Sequence, residues 1–493
     1  MIKDILKIHD KFSVEIKQSF YSQFEKKKSD YRVLTYLFIP NALNINEQTY
    51  TRDQFYKDIR VNIRYNTPEY TFSELIKNTN SPLNKFTRSI QELSDNPSKS
   101  NFIKAETLAK IFATVYSSAI RNSNRKVRKL WKNGDGKEAL KTFVNQIREI
   151  NLTFRLSIQQ VHKVNISEYQ KTLICFADEF ISNVIEHQVF ILDKYVRKYK
   201  VILTEGLKSL ITLIEDEQKY KITFYKDGVN ISALDNEKQI YKRSQLKKYI
   251  DSILFLNKDI RKDGTFVEQS IFALAAGLAM LFSTGIAFYY QQKYGNFTSA
   301  FFVALVISYM LKDRIKGIIS SLFISKANSL YYDYKIAVLN SENHKVGEIK
   351  ENFTFVAFKK LGPKVKKFRF SERTLNIEDN FFGEQIIQYK KKIVLFPKKL
   401  GKEMFDDKLN SIVDITRINL SRYTHNMDNP KKAYFFIKDN KIVKSEADKV
   451  YHINMIQKFY TEEGIEFKRY RIVINRDGIK RIEKVKSPSE IDY

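Results

Sequence analysis

Cys175 is the only cysteine in 493 residues, which excludes any disulfide within the chain. A lone thiol inside an apolar helical pattern reads as a buried, inert side chain, because a reactive one needs a base and a positive field beside it. With six histidines and that one cysteine, thiolate zinc sites are also excluded. There is no G-x-x-x-x-G-K-[ST] phosphate loop, no G-x-G-x-x-G, no G-x-S-x-G elbow and no H-E-x-x-H. These absences remove the common nucleotide, hydrolase and metalloprotease chemistries, and no cofactor is expected. Neither an internal repeat nor a low-complexity tract is present. Acidic residues are scarce beside basic ones, 56 against 85, so the net charge is +29. Such a field attracts anionic lipid headgroups or nucleic acid.

Against this polar, basic background stand two apolar runs, Ser270–Tyr290 and Phe297–Leu311. No charge falls between Gln269 and Gln292, a stretch of 24 positions. About 20 residues suffice for a helix to cross about 30 Å of hydrocarbon. The second uncharged stretch, Tyr294–Leu311, has 18 positions, and only Lys293 separates the two. The pattern predicts a transmembrane helical hairpin. Ala275, Ala279, Ser283 and Ala287 recur every four positions on the first helix, as do Ala300, Ala304 and Ser308 on the second. Stripes of small residues let backbones approach closely, within one chain or between copies in a homo-oligomer. Lys258, Arg261 and Lys262 precede the pair; Lys312, Arg314, Lys316 and Lys326 follow it; the connection holds Lys293 alone. This asymmetry predicts two spans in an inner (plasma) membrane with both termini cytoplasmic. Tyr289, Tyr290 and Tyr294 fall where an outer aromatic belt would lie, and Tyr309 near the inner face. The charged start, MIKDILKIHDKF, predicts no cleavable signal peptide.

The flanks divide into a small mixed α/β segment (1–98), a mainly helical segment (99–265), the hairpin (266–312), and a juxtamembrane helix with an antiparallel β-rich domain and a covering helix (313–493). In the first, Phe12, Val14 and Ile16 alternate ahead of EKKKSD and YRVLTYLFIP, which predicts a hairpin. Thr51 opens a helix through Arg64, Thr71 with Glu74 forms a capping box, and Ser81-Pro82 starts a further helix. Asn96-Pro97-Ser98 marks a boundary. Apolar stripes such as Phe143, Val144, Ile147 and Ile150 make the next segment helical. KYKITFYKDGVNISAL switches to period two around Asp-Gly, and a helical run follows from Lys238 to Tyr249. Beyond Tyr334 the strands are YKIAVL, FTFVAF, KVKKFRF, EQIIQYKKKIVLF, AYFFIK, KIVK, VYHINMIQKFY and FKRYRIVI, with turns at Asp439-Asn440 and Asp477-Gly478. Met404–Leu420 is the expected covering helix, with Phe405, Leu409, Ile412 and Val413 on one face.

Four groups of residues are candidates for chemistry or binding. Glu179, Asn183 and His187 share a helical face that could hold a metal or act as an acid/base pair, although the bland alternative is a solvated face. Glu466 and Lys468, with Asp448 upstream, form a nuclease-like Glu-x-Lys triplet of a kind that arises freely in so lysine-rich a chain. Arg121, Arg125, Arg128 and Lys129 surround Trp131, and Lys364, Lys366 and Lys367 adjoin Phe368 and Phe370; basic residues with aromatics suit phosphate contact and base stacking. The pattern as a whole favours a membrane-anchored cytoplasmic binding, sensing or scaffold protein that meets anionic phospholipid. A tethered nucleic-acid-binding protein or nuclease, and an oligomeric pore or effector, stand behind it.

Overall fold

The computed structural model describes residues 3–21, 26–133, 136–198, 205–225, 233–295, 298–327, 331–371, 383–400, 411–461 and 464–485. In chain order, β1 (Lys3–Ile8), β2 (Ser13–Tyr21), β3 (Ser29–Pro40), α1 (Arg52–Asp58) and β4 (Ile59–Tyr65) come first. Seven helices follow: α2 (Phe72–Lys77), α3 (Pro82–Asp95), α4 (Lys99–Lys132), α5 (Gly136–Lys163), α6 (Glu168–Arg197), α7 (Glu205–Tyr225) and α8 (Ala233–Asp251). Next are β5 (Asn257–Lys262), α9 (Thr265–Tyr294), α10 (Ser299–Ala327), β6 (Tyr334–Leu339), β7 (Lys345–Phe355), α11 (Pro363–Phe370) and β8 (Glu384–Leu395). The chain closes with β9 (Ser411–Asn419), β10 (Lys431–Lys438), β11 (Lys441–Asp448), β12 (Tyr451–Thr461), β13 (Gly464–Asn475) and β14 (Gly478–Val485).

These elements form two compact units, each discontinuous in sequence. A sheet unit takes Met1–Ile63, Leu256–Lys399 and Val413–Tyr493; a helical unit takes Arg64–Phe255 and Leu400–Ile412. Strands from both ends of the chain therefore share one sheet, of order β14-β13-β12-β3-β8-β7-β6-β5. A second sheet runs β1-β2-β9-β4, and β10-β11 stands alone as a two-stranded ribbon. The main core uses alternate residues of the long strands: Leu37 and Ile39 of β3, Ile387 and Tyr389 of β8, Ile453 and Met455 of β12, with Val14 and Ile16 of β2. Tyr36, Phe38, Ile386 and Ile456 point to the other face, where Leu361 and Val365 cover them. On the main-core side, the face of Ile387 and Tyr389, Lys391 is buried with carboxylates at hand: its ammonium donates to Asp414 at 2.5 Å and to Thr416 at 2.6 Å.

Several local expectations change. The strands β2 and β3 form where alternation places them, but they enter different sheets instead of pairing as a hairpin. Thr51 does cap a helix with Gln54 in a capping box, yet α1 ends at Asp58 and β4 follows, rich in Ile and Val. The Thr71–Glu74 box and the Ser81 cap are present, and Asn96-Pro97-Ser98 separates α3 from α4 inside the helical unit. KYKITFY is helical, because Leu207, Leu210, Leu213, Glu217 and Lys221 bury one face of α7; residues 226–232 lie outside the described residues. KVKKFRF is the short helix α11, started by Pro363 at its first turn, with Val365 and Arg369 buried four apart. It supplies the covering helix. Ser411–Asn419, expected as helix, is strand β9: its run of β-branched residues is buried on both faces. Met404–Asn410, with Phe405 and Leu409, lies outside the described residues. The turns at Asp439-Asn440 and Asp477-Gly478 join β10 to β11 and β13 to β14, with positive φ of 50° and 56° at the first pair.

The helical unit packs α2 to α8 around Phe86, Phe112, Tyr116 and Phe154, whose rings meet at centroid distances near 5 Å, for example 4.7 Å for Phe112–Phe154. Beside this core lies a buried ionic layer. The Arg155 guanidinium donates twice to Glu217, at 3.0 and 2.6 Å, and sits 3.6 Å from the Tyr220 ring centroid. Tyr220 and Tyr225 both donate to Asp178, at 2.7 and 2.5 Å. Burial opposes the charge on Arg155, and Glu217 with Asp178 outweighs it, raising its pKa. Arg155→Met should therefore leave two buried carboxylates uncompensated and destabilise the unit by about 3–5 kcal/mol, read as a lower denaturation midpoint. A loss below about 1 kcal/mol would mean that the layer is solvated in practice.

Candidate functional site

α9 is 30 residues long, about 45 Å, and it is the one described helix long and apolar enough to cross a membrane. Only 11% of its most apolar window is buried, so it is no core helix. Leu274, Met280 and Leu281 are more than 60% exposed. α10 packs antiparallel against it. Ala275 and Ala279 are fully buried, while Ser283, Ala287 and Ala304 are partly so. Ser308 is buried, and its hydroxyl donates to the Ser283 carbonyl and lies 2.9 Å from the Ser283 hydroxyl. Ala300 is exposed and takes no part. This contact sets the register: one helical turn nearer the base, Lys312 lies level with Ala279. Lys312, Arg314 and Lys316 thus run beside the middle of α9 instead of beyond its end, and Tyr309 lies level with Phe282, away from an interface. The uncharged part of α10, Ser299–Leu311, is 13 residues or about 20 Å.

Most of the polar face of α6 is buried, and only His187 on it is exposed. Asp178, Glu179 and Glu186 are buried. Each has its own cation: Arg155 for Asp178, Lys242 for Glu179 at 2.5 Å, and Lys221 and Arg243 for Glu186 at 2.5 and 3.0 Å. Among the described residues no group of three or more His, Cys, Asp or Glu side chains could hold a metal ion. Glu179 and His187 part company. Glu179 joins the ionic layer, whereas His187 reaches a cleft of about 410 Å³ walled by α4, α6 and α8, together with Asn183 and Arg121. Two residue groups that look unrelated in sequence therefore meet here. Ser117, Arg243 and Lys247 of the same cleft carried one faint signal: Arg243 and Lys247 are four apart on a polar helical run.

The remaining candidates are dispersed. Glu466 and Lys468 face each other at 3.3 Å on the surface of β13, and Asp448 pairs instead with Lys480. Arg125 and Lys129 are exposed, and Arg128 leans over the Tyr195 ring. On α11, Lys364 and Lys367 point outward and Lys366 lies over Phe358, but Phe368 is already stacked on Phe467 at 5.0 Å and Arg369 is paired with Glu384 at 2.6 Å. Cys175 is buried, and burial pushes its thiol up to about 12 with Asp178 and Glu168 adding to the shift, the reverse of an activated thiolate.

No family model, curated protein or solved structure matches the chain.

Ala279→Leu should push α9 and α10 apart where their backbones approach, at a cost of about 1–3 kcal/mol in detergent-solubilised thermal melts. Leu278→Ala, on the exposed side, should cost less. Equal melts for both would show that the small residues are a compositional accident.

Proposed function

We propose that this chain is a membrane-anchored binding or sensing protein, with both units on the cytoplasmic side of an inner membrane and the α9–α10 hairpin inserted in it. The carrying observation is the exposed, uncharged surface of α9. Water around so many apolar side chains costs about 25 cal/mol per Å², a cost that lipid removes. Topology supports a return crossing. β5 runs into α9 and α10 runs back into β6, and β5 pairs with β6 directly, Lys262 opposite Tyr334. A span by α9 therefore requires α10 to come back to the same side. The cations of α10 sit deep for a bilayer of ordinary thickness. Snorkelling of Lys312, Arg314 and Lys316 towards the cytoplasmic headgroups, with local thinning, accommodates them.

A second feature favours an anionic lipid surface as partner. Register carried across the large sheet aligns Lys262, Tyr334, Glu351, Lys391, Val33 and Phe459. The start of β12, reached from β11, therefore lies at the same end of the sheet as the base of the hairpin. The β10–β11 ribbon is exposed along its length, with Tyr434, Phe435, Ile437 and Ile442 all at least 60% exposed and Lys431, Lys432, Lys438, Lys441 and Lys444 among them. Apolar tips ringed by lysine suit the headgroup boundary. The charges of α10 also favour a second reading, an oligomeric assembly in which Lys312, Asp313 and Arg314 line a shared polar interior.

The intact chain should stay with membranes through alkaline carbonate extraction. Replacing residues 266–326 by a short turn should release a folded soluble protein, because Lys262 and Tyr334 are paired neighbours about 5 Å apart. In the native background, where Cys175 is buried, Tyr294→Cys should react with an impermeant thiol reagent added from outside. Labelling of a terminal cysteine from outside, or complete solubility without detergent, would overturn the proposal; crosslinked ladders of fixed size would favour the assembled form.

A further inference from the structure

We infer that the cleft between α4, α6 and α8 binds a small phosphate-bearing ligand. The inference rests on the helical unit being the binding part of the protein and is independent of the membrane anchor. The floor is made by Phe180 and Val184 with two polar side chains, Ser117 and Asn183. Ser117 is 2% exposed and Asn183 is 9% exposed. The Ser117 hydroxyl has no hydrogen-bond partner, and neither does the Asn183 amide nitrogen. The Asn183 amide is oriented, since its oxygen accepts from Lys221 at 3.4 Å. Arg243 is held by Glu186 through Nη2, which leaves its buried Nε without an acceptor. Three side chains that line the cleft thus each carry a donor with no acceptor within the protein. Leaving a buried donor unmade is costly, and an acceptor that arrives from outside would relieve that cost.

Charge names the acceptor. Arg121 and Lys247 stand on the rim with His187. Burial by the protein packed around it lowers the Arg121 pKa, Asp251 counters this, and Arg64 and Arg125 add to the lowering. Asp251 is shared among Lys247, Arg64 and Arg121, and Glu186 between Lys221 and Arg243. Two carboxylates are thus shared among five cations, three of which, Arg121, Arg243 and Lys247, line the cleft. A phosphate, with several acceptor oxygens and up to two negative charges, satisfies both the donors and the field. The apolar floor and a volume of about 410 Å³ leave room for an organic body on that phosphate.

The test uses the full chain in neutral detergent and inorganic pyrophosphate as the probe, titrated calorimetrically. Saturable one-site binding with a Kd of roughly 10–100 μM is expected. Arg121→Glu and Lys247→Glu, both at exposed positions, should each weaken it at least tenfold while the melting curve stays in place. Lys137→Glu, an exposed change of equal charge outside the cleft, should alter it less than twofold. Absence of saturable binding, or an equal loss in Lys137→Glu, would overturn the inference and assign any affinity to diffuse charge. Two sources of the phosphate are separated in nanodiscs. If phosphatidylglycerol weakens pyrophosphate binding relative to phosphatidylcholine, the cleft takes a lipid headgroup; if it has no effect, the ligand is a soluble phosphate.

Discussion

The short antiparallel ladder between β5 and β6 fixes what the rest of the sheet unit can do. It ties Lys262 to Tyr334, and every residue between them must leave and return through that one gap. The base is reinforced: the Tyr331 hydroxyl donates to Glu268 at 2.8 Å, and Lys350 pairs with Asp263 at 3.5 Å. Gly264, with φ of +81°, makes the turn into α9 directly against the Tyr331 ring, where any side chain would collide. Two helices of 30 and 29 residues emerge side by side as a consequence, and their antiparallel packing follows from their tether as much as from their small residues. Because the edge strand β5 and its neighbour β6 bracket the hairpin, both flanks would share one side of whatever the hairpin enters.

The same constraint creates a tension. α9 offers an uncharged length that matches a bilayer, whereas α10 offers about two thirds of it before Lys312. The register set by Ser283 and Ser308 puts the mismatch inside the hairpin, where neither helix can slide without unmaking the buried serine bond. Lys312, Arg314 and Lys316 are exposed or half-exposed on the outer surface of the pair, and Lys312 rests 4.1 Å from the Tyr309 ring centroid. Side chains with that freedom can climb towards headgroups, which a buried charge could not do.

Elements whose signal is local were legible in the sequence. The capping boxes at Thr51 and Thr71, the Ser81-Pro82 start, the apolar run of α9 and the strands β6, β8, β12 and β13 all rest on residues within one turn or one strand. What the sequence hid was pairing at a distance. β3 lies between β8 and β12, partners more than 340 residues away, so the register of the sheet has no local trace. Segments with two periods at once were misread for a related reason. KVKKFRF alternates like a strand, yet Val365 and Arg369 also fall on one helical face, and Pro363 with the covered sheet decides for helix. SIVDITRIN shows spacing a helix could use, but burial on both faces rewards β-branched side chains in a strand. The cleft was half visible for the same reason: Arg121 and His187 could each be named, while their meeting depends on how α4 packs on α6.

Charge is handled in two ways within the helical unit, and the difference carries the functional argument. Along α6 the buried carboxylates Asp178, Glu179 and Glu186 each have a cation within 3.4 Å. Beside these ion pairs the Asn183 amide nitrogen and Arg243 Nε remain unfilled. Unfilled donors cost stability; an acceptor bound there would return it and would couple ligand capture to the order of α8, the helix that contributes Arg243 and Lys247. Binding at the cleft would then be felt along α8, from its Lys242 contact with Glu179 to its last turn at Asp251.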